Sequence, residues 1–368
     1  MTACPLPVSA APVDVAPQRR RGRGATANRS GRFERESRED FDDGWGAIEE
    51  LPPFPTQIAH ERPRTLITRN DSPDIGFDRS INPYRGCEHG CVYCFARPTH
   101  AYLGLSPGLD FESRLTVKDG AAELLRRELA APSYQPKTLA IGTNTDPYQP
   151  IERRHRIMRE ILQVLAEAQH PLAIVTKSDH VLRDLDLLAP MAAKGLVKVA
   201  LSVTTLDRGL ARAMEPRAST PERRLEAIAA LSRAGVPTAV MVAPVIPGVT
   251  DHEMETILTR AQAAGASEAG YILLRLPQET QDLFGGWLLE NFPDKYRKVL
   301  ALLRSTREGK LYDSSWGKRM TGTGPYAWTL GRRFELACER LGLGARKGKL
   351  RNDLFVKPQT GGVQLSLF

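Results

Sequence analysis

YRGCEHGCVYCFA, residues 84–96, carries the reading of this chain: it places Cys87, Cys91 and Cys94 within eight positions of a sequence that has five cysteines in all. Three cysteines spaced C-x3-C-x2-C can put three thiolates on one centre from a single loop, which suits a [4Fe-4S] cluster. One iron is then left without a cysteine, and an open iron can bind and activate a small molecule. Zinc is the other reading. It requires a fourth ligand to close a tetrahedral site, for which His89 and His100 are the nearby candidates. A buried apolar trio of cysteines is disfavoured, because Glu88, His89 and Gly90 make the loop polar and flexible.

Outward from this loop, β-branched runs alternate with longer amphipathic stretches, the pattern of repeated βα units. Six strands are predicted, at 79–85, 138–143, 172–177, 197–205, 238–245 and 270–276, with helices at 118–130, 152–169, 179–194, 221–234 and 251–264. Asp179 and Thr220 are candidate helix caps, with Pro221 suited to a first turn. Consecutive βα units favour a parallel sheet with right-handed crossovers, either doubly wound or curled toward a barrel. In both, chemistry belongs at the C-terminal ends of the strands, and the cysteine loop follows the first one.

Residues 1–45 are rich in Ala, Pro, Arg and Gly and are expected to be a disordered tail. The βα pattern ends near residue 280, and residues 281–357 read as a basic C-terminal extension. Between Arg304 and Arg351 twelve Lys or Arg face four Asp or Glu, so this block alone accounts for the net charge of +8. Such a block suits a polyanion such as nucleic acid, or is a solvated helical surface. With 41% hydrophobic and 26% charged residues and no apolar run of membrane-spanning length, a soluble protein is expected. The odd number of mostly clustered cysteines argues against a disulfide framework, and the absence of an apolar signal core after the Arg-rich stretch at 19–24 against export, so the cytoplasm is the expected location.

CEHGCVYC, with Tyr93 as the aromatic before the last cysteine, resembles the C-x3-C-x-Φ-C signature of the radical S-adenosylmethionine (SAM) superfamily. The resemblance covers roughly residues 75–280. It implies an α/β fold, a partial (β/α)6 TIM-like barrel over residues 46–280, with Cys87, Cys91 and Cys94 holding a [4Fe-4S] cluster whose fourth iron is chelated by SAM. One electron, from a reductant such as flavodoxin or ferredoxin, would cleave SAM to a 5′-deoxyadenosyl radical. GTNTDPYQPIE after the second strand, TKS after the third and SVTT on the fourth look like the spore photoproduct lyase branch. By that resemblance Thr143 and Asn144 stand where the SAM amino group is contacted, Lys177 pairs with the SAM carboxylate, and Ser202 hydrogen-bonds the ribose or carboxylate. APVIPGVTDHE resembles the segment that packs on the adenine, with Val245, Ile246 and Gly248 as candidates.

The resemblance to that branch stops at its hydrogen-atom donor. Those enzymes use a cysteine in the loop after the second strand, where this chain has Thr143, whose O–H bond is too strong for the role. Cys338 would substitute only if the extension folded back over the barrel mouth. At the C-terminus, residues 358–368 end in GGVQLSLF. Gln364, Leu365, Leu367 and Phe368 are similar to the pentapeptide by which bacterial polymerases and repair proteins bind the sliding clamp. The photolyase-like segments, the basic block and this tail together point to DNA repair or modification. Radical modification of a protein or small molecule, and a non-catalytic zinc-stabilised nucleic-acid-binding protein, are the alternatives.

Overall fold

Short runs of Val, Ile, Leu and Ala bounded by Gly and Pro are too brief for helices and fit a sheet buried on both faces. The computed structural model describes residues 22–34, 54–344 and 349–359. Strands β1 (Gln57–Glu61), β2 (Thr68–Arg69), β3 (Arg79–Ile81) and β4 (Tyr84–Arg85) precede the cysteine loop, and α1 (Asp110–Ser113), β5 (Arg114–Lys118) and α2 (Ala121–Ala130) follow it. The alternation continues through β6 (Leu139–Ile141), α3 (Glu152–His155), α4 (Ile157–Glu167), β7 (Leu172–Thr176), α5 (Leu185–Ala193), β8 (Val197–Ser202), α6 (Arg208–Met214), α7 (Pro221–Arg233), β9 (Thr238–Val245), α8 (Met254–Ala263) and β10 (Glu268–Leu273). Three helices close the chain: α9 (Thr280–Asn291), α10 (Tyr296–Ser305) and α11 (Gly324–Leu341).

The main sheet runs β10-β9-β8-β7-β6-β3-β2, with β3 to β10 all parallel and β2 antiparallel at the edge. Six parallel strands in sequential order, each returning through outer helices, make the partial barrel. Ile141, Ile174, Val199 and Leu201 pack with Ile161, Leu165, Ile228, Leu231 and Ile257 of those helices in one core. Thr220 caps α7 by accepting from the Arg223 N–H, with Pro221 in the first turn. The helix expected over 152–169 breaks at Arg156, whose φ of 54° is left-handed. Asp179 is not the cap expected of it: Ser178 accepts from the His180 N–H and opens a 3-10 turn before α5.

Three further expectations meet the structure differently. β5, paired parallel with β1 and antiparallel with β4, forms a second small sheet that periodicity did not reveal. Residues 22–34, expected inside a disordered tail, are packed: Arg23, Ala25, Ala27 and Asn28 are buried. Part of the basic block is neutralised within the protein. Arg319 pairs with Asp74 at 2.6 Å, Arg333 with Glu255 at 2.7 Å, Arg351 with Asp353 at 2.6 Å, and Lys318 with Glu308 at 2.5 Å. Arg307 is buried and donates to the Leu274 and Lys318 carbonyls. Gln364, Leu365, Leu367 and Phe368 lie outside the described residues. No helix among the described residues is long and apolar enough to cross a membrane.

Candidate active site

The cysteine loop leaves β4 at the C-terminal end of the barrel strands and is held first by backbone partners. Cys87 N–H donates to the Phe111 carbonyl (2.9 Å), Val92 N–H to Met214 (3.0 Å) and Cys94 N–H to Cys91 (3.2 Å). Gly90 takes φ +67°, and a Cβ there would stand 2.6 Å from Glu112 Oε2, so the EHG turn requires glycine.

Arg97, three residues past the last cysteine, is fully buried and staples the loop. Its guanidinium donates to the carbonyls of Cys91 (2.9 Å), Gly90 (3.1 Å), Pro107 (3.1 Å) and Gly108 (2.8 Å), and pairs with buried Glu112. Glu112 also accepts from the Gly24 and Ala25 N–H groups, both at 2.8 Å, which fastens the N-terminal segment against the loop.

Cys87 and Cys91 are buried and Cys94 is partly buried, in apolar surroundings shared with Tyr93, Ala96 and Phe111. Burial pushes the Cys91 thiol up to about 12, with Glu215 adding to the shift, and raises Cys87 in the same way with help from Asp146. α9 and α10 of the C-terminal region roof this side, Phe284, Trp287 and Val299 packing in the same cluster as Cys91 and Ile246.

The donor set fits an iron–sulfur cluster better than a zinc ion. Among the described residues no group of three or more His, Cys, Asp or Glu side chains could hold one metal ion. Each candidate fourth ligand for zinc has one ring nitrogen engaged and the other open. His89 Nδ1 is 3.3 Å from Asp146 Oδ2, and His100 Nε2 is 2.9 Å from the Arg114 carbonyl. A cubane spreads its three thiolates over three irons and needs no single point of convergence.

The segments after β6, β7 and β8 converge beside this loop. Asn82, just past β3, accepts from the Asn144 N–H (2.9 Å) and Thr145 N–H (3.2 Å) and donates to Thr143 Oγ1 (3.4 Å). Asp146 links three segments: it accepts from Thr176 Oγ1 and the Lys177 N–H, both at 2.7 Å, and faces His89. Burial would raise its pKa, but His89 and these donors hold it down to about 2. Gln149 ties in the loop backbone, accepting from Glu88 N–H (2.8 Å) and donating to the Gly86 carbonyl (3.2 Å).

Lys177 Nζ stands 5.9 Å from the Tyr93 ring centroid. Burial opposes its charge, but Cys91 and Glu215 outweigh that and raise its pKa. Glu215 itself is buried, accepting from Tyr93, from Thr204 Oγ1 (2.7 Å) and from Arg224, which also donates to the Ser202 carbonyl (3.0 Å).

Thr143, Asn144, Lys177 and Ser202 are thus gathered with the three cysteines at one end of the barrel. The adenine candidates divide. Ile246 shares the cluster of Cys91, whereas Val245 packs in the barrel core and Gly248 faces Val299 and Leu302 of α10, at 3.8 and 3.6 Å from where its Cβ would be. Cys338 lies on α11, which packs on the outer helix α8 and not over the mouth. Arg97, Glu112, Asn82, Gln149, Asp146 and the Glu215–Arg224 pair are positioning residues that the sequence reading passed over or, for Asp146, took as a turn. Their partners lie up to 122 residues away in sequence, and no local spacing marks them.

The chain is 42% identical over 230 residues to an uncharacterized protein of Mycobacterium tuberculosis, covering 61% of this chain and 68% of the relative. It is 28% identical to an uncharacterized protein of Methanocaldococcus jannaschii, over 47% of this chain and 62% of that one. A spore photoproduct lyase complexed with dinucleoside spore photoproduct is similar in fold, with a TM-score of 0.55 and 17% identity over 77% of this chain and 79% of that one. A radical SAM Nalpha-GlyT isomerase of Pseudomonas phage M6 is 26% identical over 51% of this chain and 39% of its own length. The sequence profile of the radical SAM superfamily matches residues 81–261. With the cysteine loop standing at the mouth of a six-stranded parallel barrel, the chain belongs to the radical SAM superfamily, as an enzyme of SAM and a [4Fe-4S] cluster.

Proposed function

We propose that this enzyme modifies or repairs nucleic acid, with Cys87, Cys91 and Cys94 as the cluster ligands. The observation that carries the ligand assignment is the loop itself: three thiols on one Arg97-stapled turn, beside the single lysine of the TKS segment. The bound cluster and SAM supply reductive cleavage of the sulfonium to a 5′-deoxyadenosyl radical, and the protein supplies position and exclusion of water. In this reading Lys177 pairs with the SAM carboxylate, Asn144 and Thr143, pinned by Asn82, receive the amino group, Ser202 faces the ribose, and Ile246 packs on the adenine. The apolar roof from α9 and α10 keeps solvent from Cys91.

The nucleic-acid target is supported by the likeness to a lyase complexed with a dinucleoside photoproduct. Thymine-dimer reversal with a thiol donor is not proposed. Thr143 stands in the donor's place, and Cys338 is on the outer face.

The test is anaerobic reconstitution with iron and sulfide, then dithionite and SAM, with 5′-deoxyadenosine assayed with and without DNA. Cys91→Ala should abolish the product, and DNA should raise it while a peptide digest does not. Stimulation by the digest alone would transfer the enzyme to protein substrates. Zinc without iron or sulfide in the loaded protein would remove the cluster reading.

A further inference from the structure

Five of the twelve cations of the basic block are ion-paired and Arg307 is buried, and a second concentration of arginines lies elsewhere. A cavity of about 250 Å³ opens beside the cysteine loop, at the C-terminal ends of β6, β7 and β8. Arg153 from α3, Arg208 at the start of α6, Arg217 from the following loop and Arg223 from the first turn of α7 line it, and all four are exposed. Asp179 is the carboxylate in the lining, and it is already engaged: Ser219 Oγ donates to it at 2.6 Å and Arg223 lies at 3.5 Å. Arg217 is backed by Glu88 at 2.6 Å, and Arg153 donates to His180 Nε2. Arg208 makes no ion pair among the described residues. Arg217 is balanced by Glu88 and Arg223 faces Asp179, so Arg153 and Arg208 carry the uncompensated positive charge of the cavity, with the Ser178 and Thr220 hydroxyls as small polar partners.

We propose that this cavity seats backbone phosphate of a nucleic-acid strand, holding the strand beside the cysteine loop. The inference rests on the nucleic-acid reading above and gives it a place on the protein. Guanidinium forks match phosphate oxygens in geometry as well as charge. A concave site suits a phosphate group better than the broad surface of a protein. The location also serves the chemistry. His89, between Cys87 and Cys91, forms one wall, and Ser178, next to Lys177, forms another. A phosphate held here leaves its neighbouring nucleotide within reach of the strand ends that gather Asn144, Lys177 and Ser202.

The test uses the full-length, cluster-loaded protein and labelled single-stranded oligodeoxynucleotides of increasing length, titrated across a salt series. Each phosphate neutralised on a single strand contributes about −0.7 to the slope of log affinity against log salt. Arg208→Gln/Arg223→Gln should bind about tenfold more weakly at ~0.1 M salt and lose about one unit of slope. Both side chains are exposed, so thermal melting should match wild type. Arg332→Gln, on the exposed face of α11, should bind as wild type does.

If wild type binds and the double variant binds equally with the same slope, the cavity assignment is overturned while the nucleic-acid reading survives. If wild type binds neither DNA nor RNA oligonucleotides, both fall together. Affinity for a mononucleotide equal to that for a long strand would reassign the cavity to a small anion and overturn the proposal. Normal oligonucleotide binding with slowed electron uptake from an acidic carrier protein would make it a reductant-docking face, and overturn it as well.

Discussion

At the residue scale, the cysteine loop depends on groups that are not ligands. Arg97 and Glu112 form an ion pair with both side chains fully buried, and the arginine also satisfies four carbonyls. Removing one partner of such a pair strands the other charge, which costs about 3–5 kcal/mol. Arg97→Ala should lose that much stability in chemical denaturation, and Arg97→Lys less, because an ammonium keeps the charge without the fork. Equal loss in both would assign the effect to geometry alone. Gly90→Ala places a methyl against Glu112 in a left-handed backbone, a strain of about 1–2 kcal/mol before the contact is counted. Its expected signature is a lower iron content per chain with the barrel still folded; unchanged iron content would show that the turn relaxes. The three cysteines were legible in the sequence because their chemistry lies in spacing over eight positions. Arg97 was not, since an arginine after FA carries no mark of whether it faces solvent or a ring of carbonyls. Glu112, fifteen residues on, gives no pairing signal either.

At the element scale, residues 349–359 strap the end of the barrel opposite the site. The Val356 N–H donates to the Ala168 carbonyl (2.8 Å), the Arg351 N–H to Gly195 (2.9 Å), and the Phe355 ring meets Tyr134 and His170 at 5.6 and 5.4 Å. His170 is buried, 2.7 Å from the Tyr134 hydroxyl through Nε2 and 3.0 Å from the Pro171 carbonyl through Nδ1. Burial lowers its pKa from 6.5 to about 4, with Arg79 contributing in the same direction. The fold therefore favours the neutral ring. Above pH 6.5 both folded and unfolded chains hold it neutral, and its contribution is complete. As pH falls from 6.5 toward 4 the unfolded chain takes up a proton that the folded one refuses, and stability drops by about 3 kcal/mol. His100, also near 4 through burial, adds a second loss over the same window. Wild type should therefore lose stability more steeply than His170→Gln between pH 6.5 and 4, as read by denaturant midpoints at fixed pH. Parallel curves would place the imidazole in contact with water. The barrel strands were legible because β-branched runs repeat between amphipathic helices. This strap and β5 were not, because each is held by partners distant in sequence and neither has a period.

At the scale of the whole molecule, residues 22–34 and 349–359 clasp opposite ends of one barrel. The N-terminal segment lies on the cysteine loop. A Cβ on Gly24 would meet the Gly90 carbonyl at 1.8 Å, so the backbones touch directly, and Arg29 and Arg32 reach Asp282 of α9 and Glu279 just before it at 3.0 and 2.7 Å. Composition suggested disorder for this segment because Arg, Gly and Ala offer no apolar stripe. Its order comes instead from main-chain donors to a buried carboxylate. The C-terminal strap touches only the far end of the barrel. The two ends should therefore fail in different ways. Deleting residues 1–34 withdraws two N–H donors from Glu112, each charge-assisted bond being worth about 1.5–3 kcal/mol, and uncovers the Gly90 turn. Iron should then be lost to a chelator about tenfold faster or more, if even 1.4 kcal/mol of that reaches the barrier to loop opening. Deleting residues 350–368 removes the apolar contacts of Phe355 and should cost about 2 kcal/mol of global stability while iron loss keeps its wild-type rate. Chelator kinetics and denaturation on both truncations decide it: equal acceleration of iron loss would show that barrel stability, and not the N-terminal clasp, governs retention at the loop.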